Sequence, residues 1–153
     1  MSARALLAGC GLAMSSILFT ALPALGASCT ISTTGVSFGT YDVFATSPLD
    51  STGSVTYRCS GNASITVTLD KGSAATFNPR RMLKGSEALT YNLYLDAART
   101  TIWGDGTGGT QVHSNPNAPN NQNVTVTIYG RTPASQDVSA GSYSNIITAT
   151  INF

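Results

Sequence analysis

The stretch "SYSNIITATINF" spans residues 142–153. Its apolar side chains alternate with polar ones, so they fall on one face of an extended chain. They are Ile147, Ala149, Ile151 and Phe153. Strict alternation predicts a half-buried β-strand. The alternation alone favours an ordinary core strand of a complete sandwich. It leaves open what pairs with the edge of this strand and what covers its apolar face.

The same period of two recurs along the chain, with Gly, Asn, Ser and Pro between the runs. Apolar residues alternate in five further stretches, residues 35–41, 54–60, 64–70, 88–96 and 123–130. Loop composition fills the segments between them, residues 46–53, 72–82, 104–109, 113–123 and 132–141. No apolar pattern with helical spacing continues for three turns. The sequence therefore predicts an all-β fold, an antiparallel β-sandwich in a single domain.

The composition agrees with such a fold. Only 10% of the 153 residues are charged, against ~25% in an average soluble domain. Apolar residues make up 42% of the chain, which argues against intrinsic disorder. Thr, Ser, Asn and Gly fill the polar positions, as expected for short strands joined by tight turns.

The N-terminus has the composition of a secretory signal peptide, residues 1–26. Arg4 supplies a short basic region, residues 12–22 are apolar or small, and residues 24–26 offer a small-x-small cleavage signal. The exported domain would then begin near Ala27, and the apolar run is too short for a membrane span. We therefore expect an exported protein with residues 27–153 as its one domain.

A lipoprotein leader is the alternative. Residues 7–10, "LAGC", resemble a lipoprotein cleavage box that would anchor the protein through Cys10. Only Ala5 and Leu6 separate this box from Arg4, whereas an apolar region of about 7–15 residues normally precedes it. The sequence therefore favours cleavage near Ala27 over lipidation.

Removing the leader leaves a neutral domain. Arg4 is the only charge in residues 1–26, so Lys and Arg fall from 8 to 7 against 7 Asp and Glu. A neutral chain without a basic stripe does not have the electrostatic properties of a nucleic-acid-binding protein. We expect no nucleic acid among its partners.

Two cysteines, Cys29 and Cys59, remain in the exported domain. In an exported protein an isolated pair is most simply a disulfide, and both residues are in phase with apolar neighbours. Closing a loop of about 30 residues would stabilise the fold by roughly 3–4 kcal/mol. A redox or metal role is disfavoured because no CxxC motif or Cys/His cluster accompanies them.

No catalytic, cofactor or metal site is evident. Residues 104–109 match GxGxxG, but the Asn- and Pro-rich segment after them cannot form the helix that a dinucleotide site requires. His113 is the only histidine, and we interpret it as a solvated loop residue. The seven acids of the domain are scattered singly, which gives paired-carboxylate hydrolysis no support. The sequence indicates a structural or binding protein rather than an enzyme.

Four stretches together resemble the spore coat protein U domain family, which includes subunits of archaic chaperone–usher pili. They are "CTI...VSFGTYDVF" (29–44), "GSVTYRCSG" (53–61), "RRMLKGSEALTYNLYLDAARTTIWGDGTGG" (80–109) and "YGRTPASQDVSAGSYSNIITATINF" (129–153). The resemblance runs in order through essentially all of residues 27–153. FG-x-Y after a first cysteine, YNLY before W-G-D-G, and YGR followed by Q and G-x-Y are its specific features.

This resemblance implies an immunoglobulin-like sandwich that is incomplete because its seventh strand is missing. A periplasmic chaperone would lend a strand to the resulting groove, pair with the terminal strand and hold the C-terminal carboxylate with basic residues. An outer-membrane usher would then exchange it for the N-terminal extension of another pilin subunit, which places the protein in the periplasm in transit and finally at the cell surface. The groove residues expected here are Ile147, Ala149, Ile151 and Phe153.

One departure from that pattern affects the expected role. Only Ala27 and Ser28 lie between the predicted cleavage site and Cys29, so we expect a chain that accepts a strand without donating one. Within the family this suggests a terminal subunit, adhesive or initiating. Two alternatives stay open: a coat protein of a spore or cell surface, and a self-contained sandwich that binds a glycan or small ligand. The ligand site would involve Trp103, Tyr91 or Tyr94, and the loop around Asp105.

Overall fold

The computed structural model describes residues 26–153, and the predicted leader lies outside this range apart from Gly26. Cys10, the alternative lipidation site, also lies outside it. The described chain forms eight strands. They are β1 (Ser28–Thr34), β2 (Leu49–Ser60), β3 (Ala63–Leu69), β4 (Arg80–Lys84), β5 (Glu87–Tyr94), β6 (His113–Ala118), β7 (Asn123–Thr132) and β8 (Ala149–Asn152).

The strands form two sheets. One has five strands in the order β1-β2-β7-β5-β4, and the other has three in the order β6-β3-β8. All pairings between these strands are antiparallel. The described residues contain no helix. The predicted all-β antiparallel architecture is confirmed.

The core lies between the two sheets and is built from the alternating residues of the central strands. β2, β3 and β5 each place every second side chain inward. The most deeply buried apolar side chains are Val55, Tyr57, Ile65, Val67, Leu69 and Trp103. Trp103 is completely buried, and its indole N–H donates to the Val67 carbonyl at 2.9 Å. Its polar atom is therefore satisfied inside an otherwise apolar core.

A disulfide joins the first two strands, as predicted. Cys29 and Cys59 are directly opposite each other in the β1–β2 register, with their Cα atoms 4.1 Å apart. Cys59 is buried and Cys29 half-buried, so both sulfurs lie on the inner face. The covalent link fixes the edge strand β1 to its neighbour.

Three segments predicted as loops contain strand residues. β2 begins at Leu49, β4 begins at Arg80, and β6 covers residues whose composition favours a loop. Each of these strands has a long, well-ordered partner: β7, β5 and β3. Pairing with a neighbour therefore overrides local turn chemistry here, as is common for strands.

The interpretation of His113 as a solvated loop residue is wrong. It begins β6 and is half-buried, with its Nε2 atom 3.4 Å from the Tyr57 hydroxyl. Its ring also lies 6.1 Å from the Trp103 ring. Burial lowers the pKa of His113 below its usual value. It is a packing residue of the smaller sheet.

Candidate functional site: an apolar groove beside the terminal strand

A groove of about 940 Å³ opens between the two sheets, next to β8. Residues 33–43 form one wall, which we call the N-terminal wall, and residues 138–149 contribute the other, the C-terminal wall. Between them lie apolar side chains from four strands. They are Leu69, Met82, Leu89, Tyr91, Leu93 and Ile128. All of them except Met82 are at most 6% exposed, so the groove reaches down to the hydrophobic core, and its floor is apolar.

The N-terminal wall begins with the last two residues of β1, and beyond Thr34 it belongs to no strand, although the alternation of residues 35–41 predicted one. Val36 and Phe38 still pack inward against the core, and the Phe38 ring meets Tyr91 edge-on at 5.7 Å. Gly130 makes this possible, because a Cβ atom there would lie 2.7 Å from Val36 and 2.8 Å from Phe38. The side chains are thus placed as in a sheet, although no described strand is paired with this backbone.

Tyr41 and Gln136 tie the far end of the N-terminal wall to the segment after β7. The Tyr41 hydroxyl donates to the Pro133 carbonyl at 2.8 Å and accepts from the Gln136 N–H at 2.9 Å. The Gln136 amide also donates to the Thr90 carbonyl of β5 at 3.0 Å. These contacts attach the N-terminal wall to β5 and to the segment that leads from β7 to the C-terminal wall.

The C-terminal wall is fastened to the β4–β5 hairpin by polar contacts. Glu87 accepts hydrogen bonds from the hydroxyls of Ser139, at 2.6 Å, and Tyr143. Lys84 donates to the Ala140 carbonyl at 2.7 Å. The bonds from Ser139 and Tyr143 lower the pKa of Glu87 to about 2, so this carboxylate is ionised at neutral pH.

A second set of bonds fixes the wall immediately before β8. The Asn145 side chain donates to the Tyr91 hydroxyl at 2.8 Å and accepts from the Ser73 N–H at 3.1 Å. Asp70 and Thr148 exchange two bonds, from each backbone N–H to an oxygen of the other residue, at 3.1 and 3.0 Å. The wall is therefore held in place by the domain itself rather than by an occupant of the groove.

β8 has one paired edge and one edge open to the groove. It pairs with β3 from Leu69–Ala149 to Thr66–Asn152, and no other described strand is paired with it. An unpaired edge presents main-chain N–H and C=O groups that can bond an added strand. The groove thus combines an apolar interior with main-chain hydrogen-bonding groups along one side.

The four residues expected at the groove occupy different places. Ile147 and Ala149 line it. Ile151 is half-buried and packs against the core without lining the groove, and the Phe153 side chain is 59% exposed at the end of β8. The structure therefore brings two of the four together at this opening.

The hydrogen bonds that hold the two walls of the groove could not be predicted from the sequence. Nothing in the alternation of residues 142–153 points to Tyr41, Gln136 or Glu87, whose contacts are long-range hydrogen bonds. One signal was present: Gly130 stands inside a stretch with strand alternation. Glycine in a strand often marks a close approach by another part of the chain.

The residues considered for a ligand site lie in different places. Trp103 is fully buried, and Tyr91 is 4% exposed at the floor of the groove. Tyr94 is half-buried, while Asp105 is exposed and accepts hydrogen bonds from Thr107 in its own loop. Trp103 is therefore a core residue in this structure.

Two searches of residues 26–153 gave negative results. They contain no group of three or more His, Cys, Asp or Glu side chains that could hold a metal ion. In the same part of the chain, no helix has the length and apolar character needed to cross a membrane.

The chain was compared with known proteins. Residues 15–150 match the Spore Coat Protein U domain family. Protein U of Myxococcus xanthus is 33% identical over 131 residues, covering 77% of this chain and 71% of its own. A solved complex is similar in fold, with a TM-score of 0.58, 23% identity and 83% of this chain covered. It is the CsuC–CsuE chaperone–tip adhesion subunit pre-assembly complex from archaic chaperone–usher Csu pili of Acinetobacter baumannii, and the match covers 40% of the solved chain.

Proposed function

The chain belongs to the Spore Coat Protein U domain family, and we propose that it is a structural subunit of a chaperone–usher type surface pilus. In this role it accepts a β-strand from a partner protein into the apolar groove. The observation that carries the proposal is the open groove between the two walls, beside the unpaired edge of β8. An apolar groove that reaches the core, with a strand edge along it, is the arrangement that β-strand addition requires.

The chemistry of such a joint follows from the two components of the groove. The edge of β8 would supply main-chain hydrogen bonds, and alternate side chains of the incoming strand would cover Ile147, Ala149 and the apolar floor. Ile151 and Phe153 continue the same face of the strand and would meet the partner beyond the groove. Each fully buried aliphatic side chain contributes roughly 1.5–3 kcal/mol, so several anchors give a long-lived joint.

The partners proposed are a periplasmic pilus chaperone, an outer-membrane usher and other pilin subunits. Residues 1–26 would direct export, with passage through the periplasm and a final place on the cell surface. More specifically, we propose that the chain takes a terminal position in the fibre, as an adhesive or an initiating subunit.

The test is periplasmic co-expression with the archaic-class chaperone of the host, followed by size exclusion. We expect a one-to-one complex that Ile147→Asp abolishes, because the new charge would face the apolar groove. Ile146→Asp is the matched control: its side chain is 87% exposed on the opposite face, so complex formation should be unchanged. Ala149→Phe is a second variant, which fills the groove without adding charge.

Far-UV circular dichroism and urea unfolding of each variant separate a folding defect from a binding defect. The proposal fails if folded Ile147→Asp and Ala149→Phe variants still form the complex. It also fails if the chain alone unfolds at the same urea concentration as the complex, because the groove would then gain nothing from an added strand.

A coat protein on a spore or cell surface is the second candidate, favoured by the description of the family itself. Such a protein would assemble from purified chains alone. Assembly that proceeds without chaperone or usher, and is insensitive to Ile147→Asp, would support it over the pilus subunit.

A further inference from the structure

The described strands leave four sheet edges: β1, β4, β6 and β8. Unpaired edges promote association, and natural sheets guard them with charge, proline, bulges or covering segments. β4 contains Arg81 and Lys84, and Leu83 exchanges two backbone hydrogen bonds with Ser144 of the C-terminal wall. β6 contains Pro116, and its pairing with β3 is irregular. β8 borders the groove.

Within residues 26–153, β1 has no charge, proline or bulge and no strand paired with its outer edge, although its last two residues, Thr33 and Thr34, line the groove. Its sequence, "SCTISTT", contains no charged residue and no proline. Its seven residues pair with β2 in unbroken register from Ser28–Ser60 to Thr34–Ser54, without a bulge. The disulfide from Cys29 to Cys59 holds the strand against fraying. The edge is therefore regular, preformed and uncharged, which makes it a template for another strand.

We propose that the outer edge of β1 pairs antiparallel with β1 of a second copy of this chain. The arrangement with full overlap of residues 28–34 is centred on Ile31, which places Thr30 of one copy opposite Ser32 of the other. Both are exposed on the outer face of the sheet, so neither copy would bury a charge or meet a like charge. The result is a continuous ten-stranded sheet across a two-fold axis.

This association goes beyond the proposed function, because it uses the outer edge of β1 in the larger sheet, where only Thr33 and Thr34 also line the groove. A contact of one short strand is small and weak by itself. Chains held side by side in a fibre or a coat would nevertheless reinforce it through high effective concentration. The proposed role is lateral contact between assembled chains.

Two oppositely charged variants, examined alone and mixed, test the pairing. Sedimentation velocity over a concentration series measures their association. Thr30→Lys alone and Ser32→Glu alone place like charges on the same face across the axis, so each should self-associate roughly fivefold more weakly. Mixing the two variants places the new lysine opposite the new glutamate. The mixture should associate at least as tightly as the unchanged chain.

Thr125→Lys is the control, because Thr125 is exposed on the same face but lies on β7, two strands from the edge. It should leave association unchanged. The inference is overturned if the unchanged chain shows no self-association, or if mixing fails to restore it. Association that survives both single substitutions would instead be assigned to the groove, and it too would overturn the β1 pairing while leaving the proposed function intact.

Discussion

Among single residues, Arg80 is a buried charge that needs hydrogen-bond partners inside the fold. Its side chain is completely buried. The guanidinium donates to the carbonyl oxygens of Asp70 and Trp103 and to the Asn92 side chain, at 2.6 to 3.0 Å. A buried cation is stable only when hydrogen bonds replace the lost water, and these acceptors do so. Arg80 thereby links β4, β5 and the segments after β3 and β5.

Arg80→Lys should therefore destabilise the protein although it keeps the charge. An ammonium group cannot reproduce the planar fork, and at least one buried acceptor loses its donor. We expect the free energy of unfolding to fall by about 2–4 kcal/mol, measured by urea denaturation. Arg81→Lys is the neighbouring control, exposed on the same strand, and should change stability by less than about 0.5 kcal/mol. Equal effects of the two would contradict this role for Arg80.

Glu87 should make the stability of the protein sensitive to acid, because its carboxylate holds the C-terminal wall. Its pKa in the folded protein is about 2, lowered by hydrogen bonds from Ser139 and Tyr143, against an ordinary value of 4.5. A depressed pKa adds stability above pH 4.5 that is lost as the pH falls towards 2. The stability difference between the unchanged chain and Glu87→Gln should be constant above pH 5 and shrink steadily below pH 4.5. Urea unfolding across this range measures it, and a difference independent of pH would be inconsistent with the prediction.

At the scale of elements, alternation predicted the strands whose inward side chains face the core. β2, β3, β5 and β7 contain runs of this kind, and each was found. β6 could not be predicted, because the residues of "HSNPNA" have loop composition and become a strand only beside β3. Residues 35–41 show the converse. Their alternation reflects inward packing of Val36 and Phe38, but a strand also needs backbone pairing with a neighbour, and no described strand is paired with them.

Gly130→Ala tests how the N-terminal wall is held. The added methyl group would lie within 2.8 Å of Val36 and Phe38, so the wall must move outward. We expect a loss of about 1–3 kcal/mol in the free energy of unfolding and a weaker complex with the chaperone. Gly35→Ala is the matched control in the same region, since its added Cβ meets no atom within 4 Å. If both substitutions act alike, the close packing at Gly130 does not position the wall.

At the scale of the whole molecule, the sequence indicated where an opening should lie but not how it is built. Ile147 and Ala149 were predicted from one strand and a family resemblance. The walls depend on contacts between residues far apart in sequence, such as Tyr41 with Gln136, which no local pattern records. Phe153 follows the alternation of β8 yet is largely exposed, because alternation fixes the face of a strand and not what covers it.

The low charge of the molecule leads to a last prediction. The chain has 10% charged residues and a formal net charge of +1, and β1 contributes none of them. Salt changes association mainly by screening charges. The dissociation constant for self-association through β1 should therefore vary by less than about twofold between about 0.05 and 0.5 M NaCl. The mixed Thr30→Lys and Ser32→Glu pair is the internal comparison, because its added ion pair should weaken as salt rises. Sedimentation velocity measures both series. A steep salt dependence of the unchanged chain would mean that charged groups outside β1 hold the copies together.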